Sequence, residues 1–98
     1  MEAYFNLKKE GNKVLLAICD EELLGKTLRD GKIVFKISED FYKGKKISVD
    51  QAVSMIENST IINLIGNECV KKAIENGFVH PEAVLKIEGI SHAQIMKF

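Results

Sequence analysis

The sequence predicts an α+β fold in which a mixed β-sheet is covered mainly on one face by two helices. Three observations support this: two strands joined by Gly11-Asn12, a helix start at Ser48, and a strand–helix–strand pattern around Gly66. The chain has 98 residues, which is the length of one domain with one core. We therefore expect a single domain over residues 1–98.

The N-terminal segment is typical of a β-hairpin. Apolar and polar side chains alternate over residues 3–8, and the Gly-Asn dipeptide that follows favours a two-residue turn. This turn pairs Leu7 with Leu16 and Tyr4 with Cys19. The second strand, VLLAIC, is apolar on both faces, so we expect it in the middle of the sheet, with Cys19 on the same face as Tyr4.

The next segment predicts a short helix, one strand and a loop. Asp20 is a candidate N-cap for about one helical turn that ends at Gly25. Asp30-Gly31 then indicates a turn into KIVFKIS, where Ile33, Phe35 and Ile37 alternate with Lys32, Val34 and Lys36, as in a one-sided strand. Residues 39–46 are predicted to form an exposed loop.

The C-terminal half predicts two helices and three strands. Ser48 and Gln51 form a capping-box pattern before an amphipathic helix over residues 49–57. The β-branched run 60–65 precedes a helix that ends at Gly77, and AVLKIEG follows as a strand, which gives a βαβ unit with parallel strands. A final strand is expected over residues 91–97.

The composition excludes some function classes. Lys and Arg total 14, as do Asp and Glu, and this zero net charge argues against a DNA-coating protein. No apolar run is long enough to cross a membrane and no signal-peptide core is present, so we expect a cytoplasmic protein without a membrane partner. The two cysteines are far apart in sequence, which favours two buried thiols without a disulfide.

The stretch FYKGKK is a candidate RNA contact. It combines aromatic rings, on which bases stack, with lysines that pair with phosphates. The residues concerned are Phe41, Tyr42, Lys43, Lys45 and Lys46. The same lysines also fit an ordinary solvated surface.

Polar residues elsewhere are candidates for a ligand site, although no complete catalytic motif is present. The Gly66-Asn67 junction predicts free backbone N–H groups where an anion can bind. Cys19 and His92 are the ingredients of a nucleophilic pair only if their strands are neighbours. No paired-ligand spacing is present, so we assign no metal, cofactor or catalytic residue. The remaining polar cluster consists of Asp20, Lys26, Arg29, Asn63, His92 and Gln94.

Several stretches resemble one family. "ICDEELLGKTLRDGK", "FYKG" and "STIINLIGNECVKKAIENGFVHPEAVLKIEGISHAQ" are similar to the archaeal domain of unknown function 424, over nearly the whole chain. The resemblance implies a small cytosolic archaeal protein with an α+β fold and no established activity. It directs attention to Cys19, Asp20, Gly25, Lys26, Asn63, Gly66, His92 and Gln94. Ser91 departs from the family pattern, which has proline before the histidine.

Three functions remain open from the sequence. The leading hypothesis is a non-enzymatic binding module in translation or RNA metabolism, with RNA or a ribonucleoprotein as partner. The second is a small enzyme or anion binder that uses Cys19, Lys26, Asn63 and His92. The third is a protein-interaction module that acts through a sheet edge. For the chain in general we expect a monomer or a small homo-oligomer.

Overall fold

The computed structural model describes all residues, 1–98. The eight strands are β1 (Glu2–Glu10), β2 (Lys13–Asp20), β3 (Thr27–Asp30), β4 (Ile33–Lys36), β5 (Lys45–Ser48), β6 (Ile61–Ile65), β7 (Leu85–Ile87) and β8 (Ile90–Met96). The α-helices are α1 (Glu39–Tyr42), α2 (Val49–Ser54) and α3 (Asn67–Glu75). Short 3₁₀ turns span Glu21–Leu23, Met55–Asn58 and Pro81–Ala83.

Six strands form one mixed sheet in the order β5-β1-β2-β6-β8-β7. β2 and β6 are parallel, and the other neighbouring strands are antiparallel. The strands β3 and β4 pair only with each other, and we call this two-stranded element the ribbon. The mixed sheet with its helices confirms the predicted α+β class.

The N-terminal hairpin has the predicted register. Leu7 lies opposite Leu16 and Tyr4 lies opposite Cys19. Since β2 lies between β1 and β6, the prediction that this apolar strand is internal is also confirmed.

The first face of the sheet is apolar and is covered by α2 and α3. Its side chains include Ala3, Phe5, Leu16, Ile18, Ile62, Leu64 and Ala93. The capping box predicted at Ser48 is present: Gln51 N–H donates to Ser48 Oγ at 3.0 Å, and Ser48 N–H donates to Gln51 Oε1 at 3.3 Å. α3 ends as predicted at Gly77, where Phe78 N–H donates to the Ala73 carbonyl at 2.9 Å.

The second face is only partly covered. The ribbon and α1 pack over the end of the sheet where Cys19 and Ile65 lie, and they form a second core with Leu28, Ile37 and Tyr42. The other end of this face carries no layer, and Met96 there has 61% of its surface exposed. The prediction that helices cover the sheet mainly on one face is therefore confirmed. The ribbon is an additional element that the sequence patterns did not predict.

Four local predictions need correction. Residues 39–46 are not an exposed loop, because they contain α1 and the start of β5, and Tyr42 is only 3% exposed. The segment 27–30 forms a strand, and the turn that follows consists of Gly31 and Lys32. Asp20 makes no side-chain hydrogen bond to the short 3₁₀ turn after it. The burial of Tyr42 and the hydrogen bonds of Asp20 depend on contacts distant in sequence, whereas the register of β3 and β4 is set within the ribbon.

The C-terminal strands also differ in one respect from the prediction. β6 and β7 run in the same direction, as a βαβ unit requires, but β8 lies between them and pairs with both. This position places two strand spacings between β2 and β8. None of the helices combines the length and apolar character needed to span a lipid bilayer.

Candidate functional site

The ribbon is fixed on the second face by its inner side chains. Leu28 and Phe35 lie opposite each other on β3 and β4, and both pack toward the second core. The ring of Phe35 lies 4.9 Å from the ring of His92 on β8. Burial lowers the pKa of His92 below its usual value and so favours the neutral imidazole.

Hydrogen bonds hold the ribbon at both ends. At its base, Gly25 N–H donates to the Ile37 carbonyl and Ile37 N–H donates to the Lys26 carbonyl, both at 2.8 Å. At its tip, Arg29 N–H donates to a Glu88 carboxylate oxygen at 2.9 Å, and Glu88 N–H donates to Asp30 at 2.8 Å. The bonds at the base continue the ladder of the ribbon itself, and the bonds at the tip attach the ribbon to the turn between β7 and β8.

The outer side of the ribbon is basic. Because Leu28 and Phe35 face the sheet, their neighbours Arg29, Val34 and Lys36 face away from it. Lys32 lies exposed in the turn and Lys26 lies exposed at the base, and none of these cations makes an ion pair. We call Lys26, Arg29, Lys32 and Lys36 the basic ribbon face.

Few acidic groups oppose this charge. The carboxylates of Asp30 and Glu88 accept backbone N–H groups at the tip, and Glu39 and Asp40 share a shallow hollow with Lys36 near the base. Between these ends the outward side chains are basic or uncharged. A negatively charged chain can therefore lie along the ribbon without meeting a like charge at its centre.

The two aromatic residues of the FYKGKK segment differ in their exposure to solvent. Phe41 is 47% exposed, whereas Tyr42 is buried and packs edge-on against it with ring centres 4.8 Å apart. Burial raises the pKa of the Tyr42 phenol well above its usual value, consistent with a phenol in the core. Tyr42 cannot stack on a base without unfolding this region.

The lysines of the same segment also differ in their surroundings. Lys43 and Lys45 are exposed and make no ion pair, whereas Lys46 lies 3.4 Å from Glu21 and 3.8 Å from Glu2. Lys46 is thus already compensated by two carboxylates. Of the RNA contacts suggested by the sequence, the structure leaves Phe41, Lys43 and Lys45 free to meet a ligand.

The uncovered part of the second face contains a shallow pocket of about 120 Å³. We call it the sheet pocket, and its side-chain lining includes Asn6, Lys8, Leu15, Ala17, Phe41 and Asn63. Gln94 lies opposite Asn63 on β8, and its Nε2 donates to Asn63 Oδ1 at 2.7 Å. The predicted pair Asn63 and Gln94 therefore does share one surface.

The predicted anion position at Gly66-Asn67 is filled by a carboxylate of the chain itself. Asp20 accepts Glu68 N–H at 2.8 Å and Cys69 N–H at 3.0 Å, which caps α3. Burial raises the pKa of Asp20, while these two N–H donors act in the opposite direction. The side chain of Asn67 binds Ser91 N–H at 2.8 Å and so connects α3 to β8.

Cys19 and His92 are not brought together. Both lie on the second face, but β6 separates their strands, so their Cα atoms are about 10 Å apart by strand spacing. Cys19 is fully buried, and burial raises its pKa to about 12, which leaves almost no thiolate at pH 7. Lys26 lies exposed at the base of the ribbon.

The ten ligand residues suggested by the sequence thus occupy different places. Three of them, Asp20, Gly66 and Asn67, lie at the start of α3. Another three, Gly25, Lys26 and Arg29, belong to the ribbon and its base. Asn63 and Gln94 lie beside the sheet pocket. Cys19 and His92 lie under the ribbon. No group of three or more His, Cys, Asp or Glu side chains is arranged to hold a metal ion.

The family model described as "Protein of unknown function (DUF424)" matches residues 7–98. The chain belongs to this family. It is also similar to the crystal structure of an uncharacterized conserved protein from Methanopyrus kandleri, an archaeon, with 28% sequence identity and a TM-score of 0.80. That similarity covers 97% of this chain and 90% of the other. No protein with a curated description matches the sequence. The family assignment predicted from the sequence is confirmed.

Sequence reasoning missed the ribbon and most of the sheet pocket. The alternation in KIVFKIS placed Lys32 and Lys36 on one side of a strand, and this was the signal for a basic surface. The positions of Asn6 and Ala17 beside Asn63 follow from the pairing of β2 with β6, which no local pattern indicates.

Proposed function

We propose that the chain is a non-enzymatic module that binds single-stranded RNA, in the setting of translation or RNA metabolism. The observation that carries the proposal is the basic ribbon face, with four unpaired cations on an element whose tip is hydrogen-bonded to the turn between β7 and β8. Phosphate contacts dominate the affinity of proteins for nucleic acids, because each neutralised phosphate releases counterions.

Two features favour a single strand over a duplex. The ribbon lies on the second face, so its outer side and the uncovered part of that face are turned to the same side of the molecule. That uncovered part presents the exposed ring of Phe41, and unpaired bases stack on such rings. Bases within a duplex are already stacked and paired.

The absence of an assembled reactive centre supports a binding role over the enzyme alternative. Cys19 is buried with a raised pKa, and Lys26 lies exposed at the base of the ribbon. A nucleophile without an adjacent base and without solvent access is a poor candidate for covalent catalysis. The geometry therefore favours recognition by charge and stacking.

The test is the salt dependence of binding to a short, unstructured, fluorescently labelled RNA, measured by anisotropy. The double variant Arg29→Gln/Lys32→Gln removes two cations from the ribbon. The matched control, Lys9→Gln/Lys71→Gln, removes two exposed cations that make no ion pair and lie outside the ribbon.

We expect the ribbon variant to bind RNA more weakly and to reduce the slope of log K against log salt by about 1.4, which is about 0.7 for each lost phosphate contact. The control variant should retain nearly the slope of the parent protein. Equal slopes and affinities for the two double variants would contradict the proposal.

A further inference from the structure

The sheet pocket presents a fixed pair of hydrogen-bonding groups. Because Gln94 Nε2 donates to Asn63 Oδ1 at 2.7 Å, the Asn63 Nδ2 donor and the Gln94 Oε1 acceptor are left without protein partners. Both side chains are on the second face, with Asn63 half-buried and Gln94 exposed. One donor and one acceptor therefore stand side by side at the margin of the pocket.

Phe41 forms an aromatic wall whose position is held by the fold. Its neighbour Tyr42 is buried in the second core, and the Asn6 amide donates to the carbonyl of Phe41 at 3.3 Å and to that of Asp40 at 3.5 Å. Gly44 follows this segment and lies so close to β1 that a Cβ there would be 2.2 Å from the Phe5 carbonyl oxygen. The ring of Phe41 is thus set beside the sheet before any ligand binds.

The floor of the pocket is small and apolar. Ala17 lies between Asn6 and Asn63 in one row across the strands, and its short side chain leaves the hollow of about 120 Å³. Leu15 lies in the next row, and Lys8 and Glu10 stand at the rim. This is a flat, partly apolar surface with an aromatic wall, a donor and an acceptor.

We infer that the sheet pocket binds one unstacked base of the RNA, with the base against Phe41 and its polar edge on the Asn63–Gln94 pair. This inference rests on the proposed function and adds a base subsite to the phosphate contacts of the ribbon. Every nucleobase combines a π-face with neighbouring donors and acceptors on its edges, which is what these groups complement. An apolar peptide side chain in the same place would leave both amide groups without partners, at a cost in affinity.

The test compares Phe41→Ala with Phe98→Ala, which removes an exposed aromatic side chain at the C-terminus that does not line the sheet pocket. We expect Phe41→Ala to weaken binding to the single-stranded RNA by roughly tenfold, the effect of losing one stacked base. The slope of log K against log salt should stay unchanged, because no phosphate contact is lost. Phe98→Ala should bind like the parent protein.

Two further measurements separate a base contact from a structural effect. Phe41→Trp keeps a stacking surface and should restore most of the affinity. The parent protein should bind an abasic strand of equal length about as weakly as Phe41→Ala binds the RNA, and Asn63→Ala should weaken RNA binding without changing the salt slope.

The outcomes distinguish this inference from the proposed function. Equal RNA affinities of Phe41→Ala and Phe98→Ala, or equal binding of abasic and intact strands by the parent protein, would overturn the base subsite alone. In that case the ribbon variant would still change the salt slope. If the parent protein does not bind single-stranded RNA, both the subsite and the proposed function are wrong.

Discussion

The two faces of the sheet differ in how completely their side chains are buried. On the first face, apolar side chains from β1, β2, β6 and β8 meet α2 and α3, and its largest core side chains are completely buried. On the second face the ribbon and α1 cover one end, while Asn63, Gln94 and Met96 at the other end retain contact with solvent. The first face stabilises the fold, and the second combines a smaller core with accessible polar groups.

This difference indicates where binding can occur at little cost to stability. A ligand on the first face would have to displace two helices and a continuous core. On the second face, the basic ribbon face and the sheet pocket are already accessible and are held by elements that remain folded. A surface that needs no rearrangement binds without the entropic cost of ordering its own groups.

The largest expected effect is a loss of stability at the contact between Asp20 and the start of α3. Gly66 has φ of +130°, and a Cβ there would lie 2.2 Å from the Asp20 carboxylate carbon. We expect Gly66→Ala to lower the free energy of unfolding by about 4 kcal/mol, since it combines backbone strain with loss of the cap. Urea denaturation measures this change.

Gly77→Ala is the matched control, because Gly77 also has positive φ, of +79°, but has no atom near the Cβ position. This variant should lose only about 1 kcal/mol from the less favourable backbone conformation. Equal losses for the two variants would show that contact with Asp20 contributes nothing at Gly66.

The second prediction compares how much two adjacent residues near the second face contribute to stability. Tyr42 is 3% exposed and Phe41 is 47% exposed. Tyr42→Ala should lower the free energy of unfolding by about 3 kcal/mol because it leaves a cavity in the second core. Phe41→Ala should change it by less than about 1 kcal/mol. If Phe41→Ala were the more destabilising in urea denaturation, the division into core and surface would be wrong.

The smallest predicted effect is the contribution of His92, which lies beneath the ribbon, to the pH dependence of stability. Burial lowers the pKa of His92, so the unfolded chain binds the proton more readily than the folded chain does. Protonation of His92 should therefore lower the free energy of unfolding as the pH falls from about 6.5, the pKa of His92 in the unfolded chain, through its lower pKa in the folded chain. Melting temperatures of the parent protein and of His92→Gln, measured between neutral pH and about pH 5, should diverge for this reason.

His92→Gln should lose part of the pH dependence that the parent protein shows. Identical pH profiles for the two proteins would remove His92 as a titrating contact beneath Phe35.

The sequence predicted those elements whose signals are local. The turn after Glu10 set the register of β1 and β2, Ser48 and Gln51 marked the start of α2, and Gly77 marked the end of α3. Each depends on residues only a few positions apart.

The remaining features depend on contacts between distant segments. The Asp20 carboxylate does cap a helix, but that helix is α3, whose N–H donors belong to residues 48 and 49 positions away. Tyr42 is buried because it packs into the second core with side chains of β2 and the ribbon, although its neighbours Lys43 and Gly44 are typical of a loop. The candidate site was predicted in part, since Arg29, Phe41 and Asn63 were identified but the ribbon and pocket that position them were not.

The central claim is that the second face, and not the helix-covered first face, binds a single strand of RNA. The most direct measurement is an NMR titration of the ¹⁵N-labelled protein with a short unstructured RNA, recording the backbone amide shifts. We expect the largest changes in the ribbon, around Phe41, and at Asn63 and Gln94, with little change along α2 and the solvent-facing side of α3. Changes centred on α2 and α3, or the absence of any change, would contradict the claim.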